Sequence, residues 1–258
     1  MIPWGDDFWY ANANLTFKNL ENYIKYFNEK YDDITLLYST PSEYINALKE
    51  QQVEWPVRYD DMFPYADQNE DYWTGYFTSR ADAKKLDRQT QSYFHSSSKV
   101  YSQKLLEQGI DQETVQTILS NKHAMLNALG IMQHHDAITG TAKQAVADRY
   151  NQILTDAVSQ NNELYTQLIG EKASRAGLDA SLTWNTCTTT STTPVDCGIT
   201  SDAGQTWMIT AQNPSTITQK MFYFKAPADG AYKTSVLQEG SWVDAPSDLI
   251  CFEATQDD

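Results

Sequence analysis

Two stretches of this chain hold residue types that could do chemistry. The first, Trp4-Gly5-Asp6-Asp7-Phe8-Trp9-Tyr10, sets two adjacent carboxylates among aromatic rings. Rings stack on sugar faces, and a carboxyl group desolvated by them holds its proton more tightly and can donate it. The same two aspartates could instead cap a helix starting near Asn12, and the residues alone leave both readings open. The second stretch is Gln133-His134-His135-Asp136-Ala137-Ile138-Thr139-Gly140-Thr141, where two of the four histidines stand side by side and an aspartate follows. A neutral imidazole nitrogen ligates Zn²⁺, and a neighbouring carboxylate or imidazole orients that ligand or holds a substrate hydroxyl. Adjacent side chains seldom ligate one ion together, so this segment predicts one or two ligands at most. The plainer alternative is a polar helix end with Thr139-Gly140-Thr141 as the turn into the next helix. His95 and His123 fall on helical segments and read as ordinary surface or core residues.

Both stretches need a frame. Phe17, Leu20, Ile24, Phe27 and Tyr31 recur at steps of three and four and predict a helix face. Ile34-Thr35-Leu36-Leu37-Tyr38 reads as a buried strand, and Thr40-Pro41-Ser42-Glu43 as a capping box with proline at the first helical position. The helix that follows should bury Tyr44, Ile45 and Leu48; strand, cap and helix in this order is an α/β pattern. From Ser79 to about Gly170 the pattern is helical nearly throughout. Ser79 and Asp82 open a helix carrying Leu86, Tyr93 and Val100. Asp111 opens a second with Val115, Ile118, Leu119, Leu126 and Leu129. Thr141 opens a third with Val146, Ile153, Leu154, Val158, Leu164 and Leu168, ended by Gly170. Three such helices in succession predict an antiparallel bundle.

Beyond Gly170 the texture changes. Residues 181–201 hold 11 Ser or Thr in 21 positions, a loop composition. Trp207-Met208-Ile209-Thr210, Met221-Phe222-Tyr223-Phe224, Ser235-Val236-Leu237 and Leu249-Ile250-Cys251-Phe252 are short β-prone runs punctuated by Gly, Pro and Asn, the start of an all-β sandwich.

Composition narrows the function classes. With 258 residues the chain can build one large domain or two ordinary ones. Nineteen Lys and Arg against 34 Asp and Glu give a net charge of −15, which disfavours phosphate backbones and anionic lipid. No apolar run approaches the ~20 residues of a membrane span. Met1-Ile2-Pro3-Trp4-Gly5 shows no secretion signal, so the sequence is expected to be either cytosolic or cut at its beginning. Cys187 and Cys197 could close a loop and leave Cys251 over, or all three could be separate thiols. One glycosylation sequon, Asn14-Leu15-Thr16, is acceptable, whereas Asn213-Pro214-Ser215 is excluded by its proline.

Several longer motifs occur in one order: Gly5-Asp6-Asp7-Phe8, Tyr38-Ser39-Thr40-Pro41-Ser42, Tyr59-Asp60-Asp61-Met62-Phe63-Pro64-Tyr65-Ala66-Asp67, Tyr72-Trp73-Thr74-Gly75-Tyr76-Phe77-Thr78-Ser79-Arg80 and Gln133 through Thr141. Together they resemble the α-mannosidases of glycoside hydrolase family 38, closer to the lysosomal than the Golgi type. The similarity is strong to about residue 170 and weaker beyond, where Ala211-Gln212-Asn213-Pro214 looks like the opening of the family's β domain. The resemblance implies a retaining glycosidase that uses two carboxylates and one Zn²⁺ on terminal α-mannosides of N-glycan-type oligosaccharides. It assigns the general acid/base to Asp7, a zinc ligand to His135, contacts with sugar hydroxyls to His134 and Asp136, and the platform beneath the sugar ring to Trp73.

The same resemblance sets the expected organisation. It is a mixed multi-domain fragment: residues 1–77 as the end of an α/β catalytic domain, 78–170 as an antiparallel three-helix bundle, and 171–258 as a linker and the first strands of a β-sandwich. A His-x-Asp pair and the nucleophilic Asp, which complete the family's zinc site, are expected upstream of residue 1, so the chain alone should be inactive. The parent is expected in the lysosome, vacuole or extracellular space, with a mannose-containing oligosaccharide as partner and neither nucleic acid nor membrane. Trp9 departs from the polar residue that relatives more often carry there. The rival reading is a non-catalytic carbohydrate-binding or helical interaction module.

Overall fold

A computed structural model of the chain describes residues 1–179, 184, 200, 206–210, 216–217 and 231–246. These divide into two units, Met1–Phe63 and Pro64–Asp258. Among the described residues there are five α-helices and two small antiparallel sheets.

In the first unit, α1 (Ala13–Lys30) half-buries Leu20, Ile24 and Phe27 on the face their spacing predicts. Phe17 lies on the same face and its ring meets Tyr10 and Tyr38 at centroid distances of 5.7 and 6.0 Å. α2 (Pro41–Glu50) starts with the expected capping box: the Thr40 hydroxyl accepts from the Glu43 amide at 3.2 Å, and the Glu43 carboxylate accepts from the Thr40 amide at 2.8 Å. Tyr44 and Leu48 are half-buried, but Ile45 is exposed.

The expected buried strand at Ile34–Tyr38 does not form. The run has no regular secondary structure and no neighbouring strand, and Ile34, Leu37 and Tyr38 are exposed. A strand needs a partner for its amides and carbonyls. Here the Asn28 side chain takes that place at one position, donating to the Leu36 carbonyl at 2.9 Å and accepting from the Leu36 amide at 2.8 Å. Within residues 1–63 the α/β pattern therefore appears as helix, irregular run, helix, without a sheet.

The second unit begins with a short hairpin, β1 (Ala66–Gln68) against β2 (Asp71–Tyr72). Three helices follow: α3 (Ala81–Leu105), α4 (Gln112–Met132) and α5 (Gln144–Arg175). They pack as an up-down-up bundle around two apolar clusters. Near the start of α3, Ala83 packs with Met125, Ala128, Leu129 and Met132 of α4 and Leu154 and Ala157 of α5. Near its end, Val100 and Tyr101 pack with Ile118, Leu164, Tyr165 and Leu168. Tyr93 lies against both clusters.

A polar layer crosses this core. The Tyr101 hydroxyl donates to Asn161 Oδ1 at 2.7 Å and accepts from Asn121 Nδ2 at 3.2 Å, all three side chains being buried. Desolvation pushes the Tyr101 hydroxyl up to about 12. At the far end of the bundle, Lys104 pairs with Glu107 and Glu171, and Arg175 pairs with Glu107 at 2.6 Å, tying α5 to the end of α3.

Several boundaries differ from those the sequence suggests. Ser79 does not cap α3, because its hydroxyl is committed to the Gly140 carbonyl. α5 starts at Gln144 rather than Thr141 and runs through Gly170, ending near Gly177, whose φ of +81° closes the helix. Leu119, Leu126 and Val146 are exposed, while Met125 and Met132 fill the core that two of those positions were expected to line. β3 (Thr234–Gln238) includes the expected Ser235–Leu237 run and pairs with β4 (Ser241–Ala245) across Glu239-Gly240, both at positive φ as a tight twisted hairpin requires. Trp207–Thr210 is not a strand. Met221–Phe224, Leu249–Phe252, the three cysteines and nearly all of the Ser/Thr-rich segment lie outside the described residues.

Two outcomes follow from this packing. Leu154→Ala should lower unfolding free energy by about 2–5 kcal/mol, whereas Leu126→Ala, half-exposed, should cost less than ~0.5 kcal/mol in urea titrations. Equal losses would contradict the packing. The second concerns the ion pairs: hydrogen bonds from Arg175 and Lys104 hold the Glu107 carboxyl down to about 2, against an ordinary value of 4.5. A depressed carboxylate stabilises the fold fully above its unfolded value and loses that contribution as pH falls through the folded one. The difference in urea midpoint between wild type and Glu107→Gln should therefore hold above pH 4.5 and shrink from 4.5 toward 2. A difference that grows with acidification would refute the pairing.

Candidate functional site

α4 ends at Met132 with Gln133 as its cap, and the chain then makes two compact turns before α5. The Ala137 amide donates to the His134 carbonyl at 2.9 Å, the Gly140 amide to Ala137 at 3.0 Å, and the Ala142 amide back to Asp136 at 3.1 Å. This folded loop brings His134, His135 and Asp136 together, with one donor atom from each lying within 4.8 Å of the others. The Asp136 Oδ2 atom stands 3.4 Å from His134 Nε2 and 3.9 Å from His135 Nε2. Its other oxygen, Oδ1, accepts from the Thr141 hydroxyl at 3.3 Å. The imidazoles lean on each other with centroids 4.3 Å apart, and all three residues are exposed.

Two imidazole nitrogens and a carboxylate oxygen within 4.8 Å of one another are donors of the kind Zn²⁺ takes. Thr141 on Asp136 supplies the outer hydrogen bond by which such carboxylates are normally oriented. The residues fit the metal.

The loop is clasped from behind by the start of α3. The Arg80 guanidinium donates to the carbonyls of Gly140 at 2.9 Å and Ala142 at 2.7 Å. Lys84 Nζ donates to the carbonyls of Ser79 and Ile138, both at 2.7 Å, and its burial lowers the ammonium below the usual lysine range. A turn further along, buried Asp87 accepts from Gln133 at 3.1 Å and Gln91 at 2.6 Å; desolvation raises its carboxyl, and these hydrogen bonds oppose the rise. None of these contacts was legible as a site in the sequence. Arg80 stood in the Tyr72–Arg80 motif without a role, and Gly140 between two threonines was the only local sign of a constrained turn.

Trp73 lies in the same unit, just past β2. Its indole donates to Asp67 at 3.0 Å and its ring meets Tyr65 edge-on at 5.6 Å, so both partners belong to its own hairpin region. Trp73 is half exposed.

Asp7 belongs to the first unit. Neither aspartate caps α1, whose N-cap is Asn12, so the helix-cap alternative fails. The Asp6 carboxylate instead accepts from the Asp7 amide at 2.8 Å, and the Asp6 carbonyl accepts from the Trp9 amide at 3.1 Å in a turn where Phe8 sits at φ +63°. The Tyr10 hydroxyl donates to the Trp4 carbonyl at 2.6 Å. Both aspartates are exposed; the surrounding rings do not bury them, Phe8 being 92% exposed.

Residues 71–171 match the family described as the α-mannosidase middle domain. The chain is 38% identical over 174 residues to a lysosomal α-mannosidase of Dictyostelium discoideum, covering 66% of this chain and 17% of that protein. It is 40% identical over 160 residues to a probable α-mannosidase of Arabidopsis thaliana (62% and 14%). It is 37% identical over 154 residues to the lysosomal α-mannosidase of Homo sapiens (58% and 15%). The chain thus spans 14–17% of the length of these relatives. The metal-fitting loop, its clasp and Trp73 all fall within the matched segment, over which the chain is similar to α-mannosidases.

Proposed function

We propose that this chain supplies the acid/base residue, one wall of the zinc site and the sugar platform of a retaining α-mannosidase acting on terminal α-mannosides of N-glycan-type oligosaccharides. The observation that carries the reading is the gathering of His134, His135 and Asp136 on one constrained loop inside the matched middle domain. His135, with the most exposed imidazole of the pair, is the ligand; His134 and Asp136 hold sugar hydroxyls beside it. Zn²⁺ bound there would template two hydroxyls and act as a Lewis acid. Trp73 stacks beneath the ring.

Asp7 gives its proton to the departing glycosidic oxygen and then takes one from the incoming water. An exposed carboxyl in its own unit can do this only once substrate and enclosing surface desolvate it. The retaining reaction also needs a nucleophilic carboxylate, and none is assigned to this chain. The lysosomal relatives support a lysosomal or vacuolar setting for the enzyme.

The roles separate in the intact enzyme that carries this sequence. Asp7→Asn should lower kcat about 10²–10⁴-fold with zinc content unchanged, because it removes a proton and not a ligand. His135→Ala should lower zinc content itself, read by elemental analysis. Equal metal loss in both variants would overturn the division of roles. Mannoside binding by the wild-type enzyme without turnover would favour a non-catalytic carbohydrate-binding module.

A further inference from the structure

We propose that Arg80 and Lys84 are positioning residues for the metal-ligating loop, acting through its backbone carbonyls; the inference rests on the zinc reading above. Neither cation touches His134, His135 or Asp136. Between them they hold the carbonyls of Ile138, Gly140 and Ala142, every second residue of the turn. A protonated lysine or arginine cannot ligate a metal, so it can fix this turn without competing for the ion.

The grip on the turn reaches the backbone of Asp136 in two bonds. Arg80 holds the Ala142 carbonyl, and the Ala142 amide donates to the Asp136 carbonyl. Beside it, the Thr141 hydroxyl donates to Asp136 Oδ1 and leaves Oδ2 toward the imidazoles. If the turn opened, Asp136 would lose both restraints, and the three donors would no longer share one position.

Arg80 itself adopts φ +50°, a conformation that a non-glycine residue reaches only at some cost. It does so where α3 starts without a side-chain cap. An ordinary helix start there would swing the guanidinium away from Gly140 and Ala142. Gly140 completes the fit: it sits at φ +72°, and a Cβ placed on it would fall 2.4 Å from the Ser79 carbonyl oxygen. Glycine is the residue that lets the two segments approach this closely.

The test uses the intact enzyme that carries this sequence and Co²⁺ as the probe, followed by its visible absorption. Amide hydrogen exchange without metal is followed in parallel, with far-ultraviolet circular dichroism as the control for folding. Arg80→Gln and Lys84→Met should each weaken Co²⁺ binding by about tenfold or more, the usual effect of removing an outer-shell support. Exchange should quicken at Gly140 and Ala142 while α3–α5 keep their protection and helix content. Arg80→Lys, retaining one charged donor, should recover part of the affinity. Unchanged affinity in both variants would overturn the proposal. So would exchange that rises evenly along all three helices, since that marks a merely structural role. If the wild-type enzyme takes up no Co²⁺, the zinc reading fails on its own. The clasp is then judged by exchange and by the His134 and His135 imidazole resonances, distinct in the wild type and converging in Arg80→Gln; no convergence would overturn it.

Discussion

Gly140, in the left-handed region, lets the turn after α4 pass against the backbone of Ser79 with no room for a side chain between them. From that contact the site follows. Close approach brings the Gly140 carbonyl to the Ser79 hydroxyl and the Arg80 guanidinium, and Ile138 to Lys84. The turn so fixed closes the Ala142-to-Asp136 hydrogen bond and sets His134, His135 and Asp136 around one point. An exposed loop of two imidazoles and a carboxylate would otherwise sample many arrangements, and ordering them at binding would cost affinity.

The bundle behind the loop is built to keep that contact in register. Its two apolar clusters are generic in composition, and helices held by Leu, Met and Ala alone can slide against one another. The buried Tyr101, Asn121 and Asn161 bonds join all three helices at one level, and a slip of one turn would leave buried polar groups unpaired. Ion pairs between Lys104, Glu107, Glu171 and Arg175 fasten the far end. Hydrogen bonds from Arg175 and Lys104 hold the Glu107 carboxyl down to about 2, so this fastening keeps its charge in mild acid.

Local signals were legible in the sequence where local physics decides. The Thr40 capping box, the Asp111 cap and the i, i+3, i+4 face of α1 needed only neighbouring residues. The strand expected at Ile34–Tyr38 failed because a strand is a property of a pair, and nothing in the unit pairs with this run beyond the Asn28 side chain. Leu119 and Leu126 misled because α4 is apolar around much of its circumference, so period alone could not choose which side faces α3 and α5. Of the site, His134-His135-Asp136 announced itself by residue type, and Asp7 by its aromatic neighbours and the family motif. The clasp could not be seen, since Arg80 and Lys84 lie more than fifty residues before the carbonyls they hold. The cysteines and most of the β-prone segment after Gly177 fall outside the described residues.

The central claim is that this loop gathers nitrogen and oxygen donors for zinc, His135 foremost. X-ray absorption on the zinc-loaded intact enzyme tests it most directly, because scatterer type and distance are read together. The account predicts a first shell of nitrogen and oxygen at about 2.0–2.1 Å, with the outer-ring scattering typical of imidazole. A first shell dominated by sulfur at about 2.3 Å would place the metal on the cysteines instead and contradict the account.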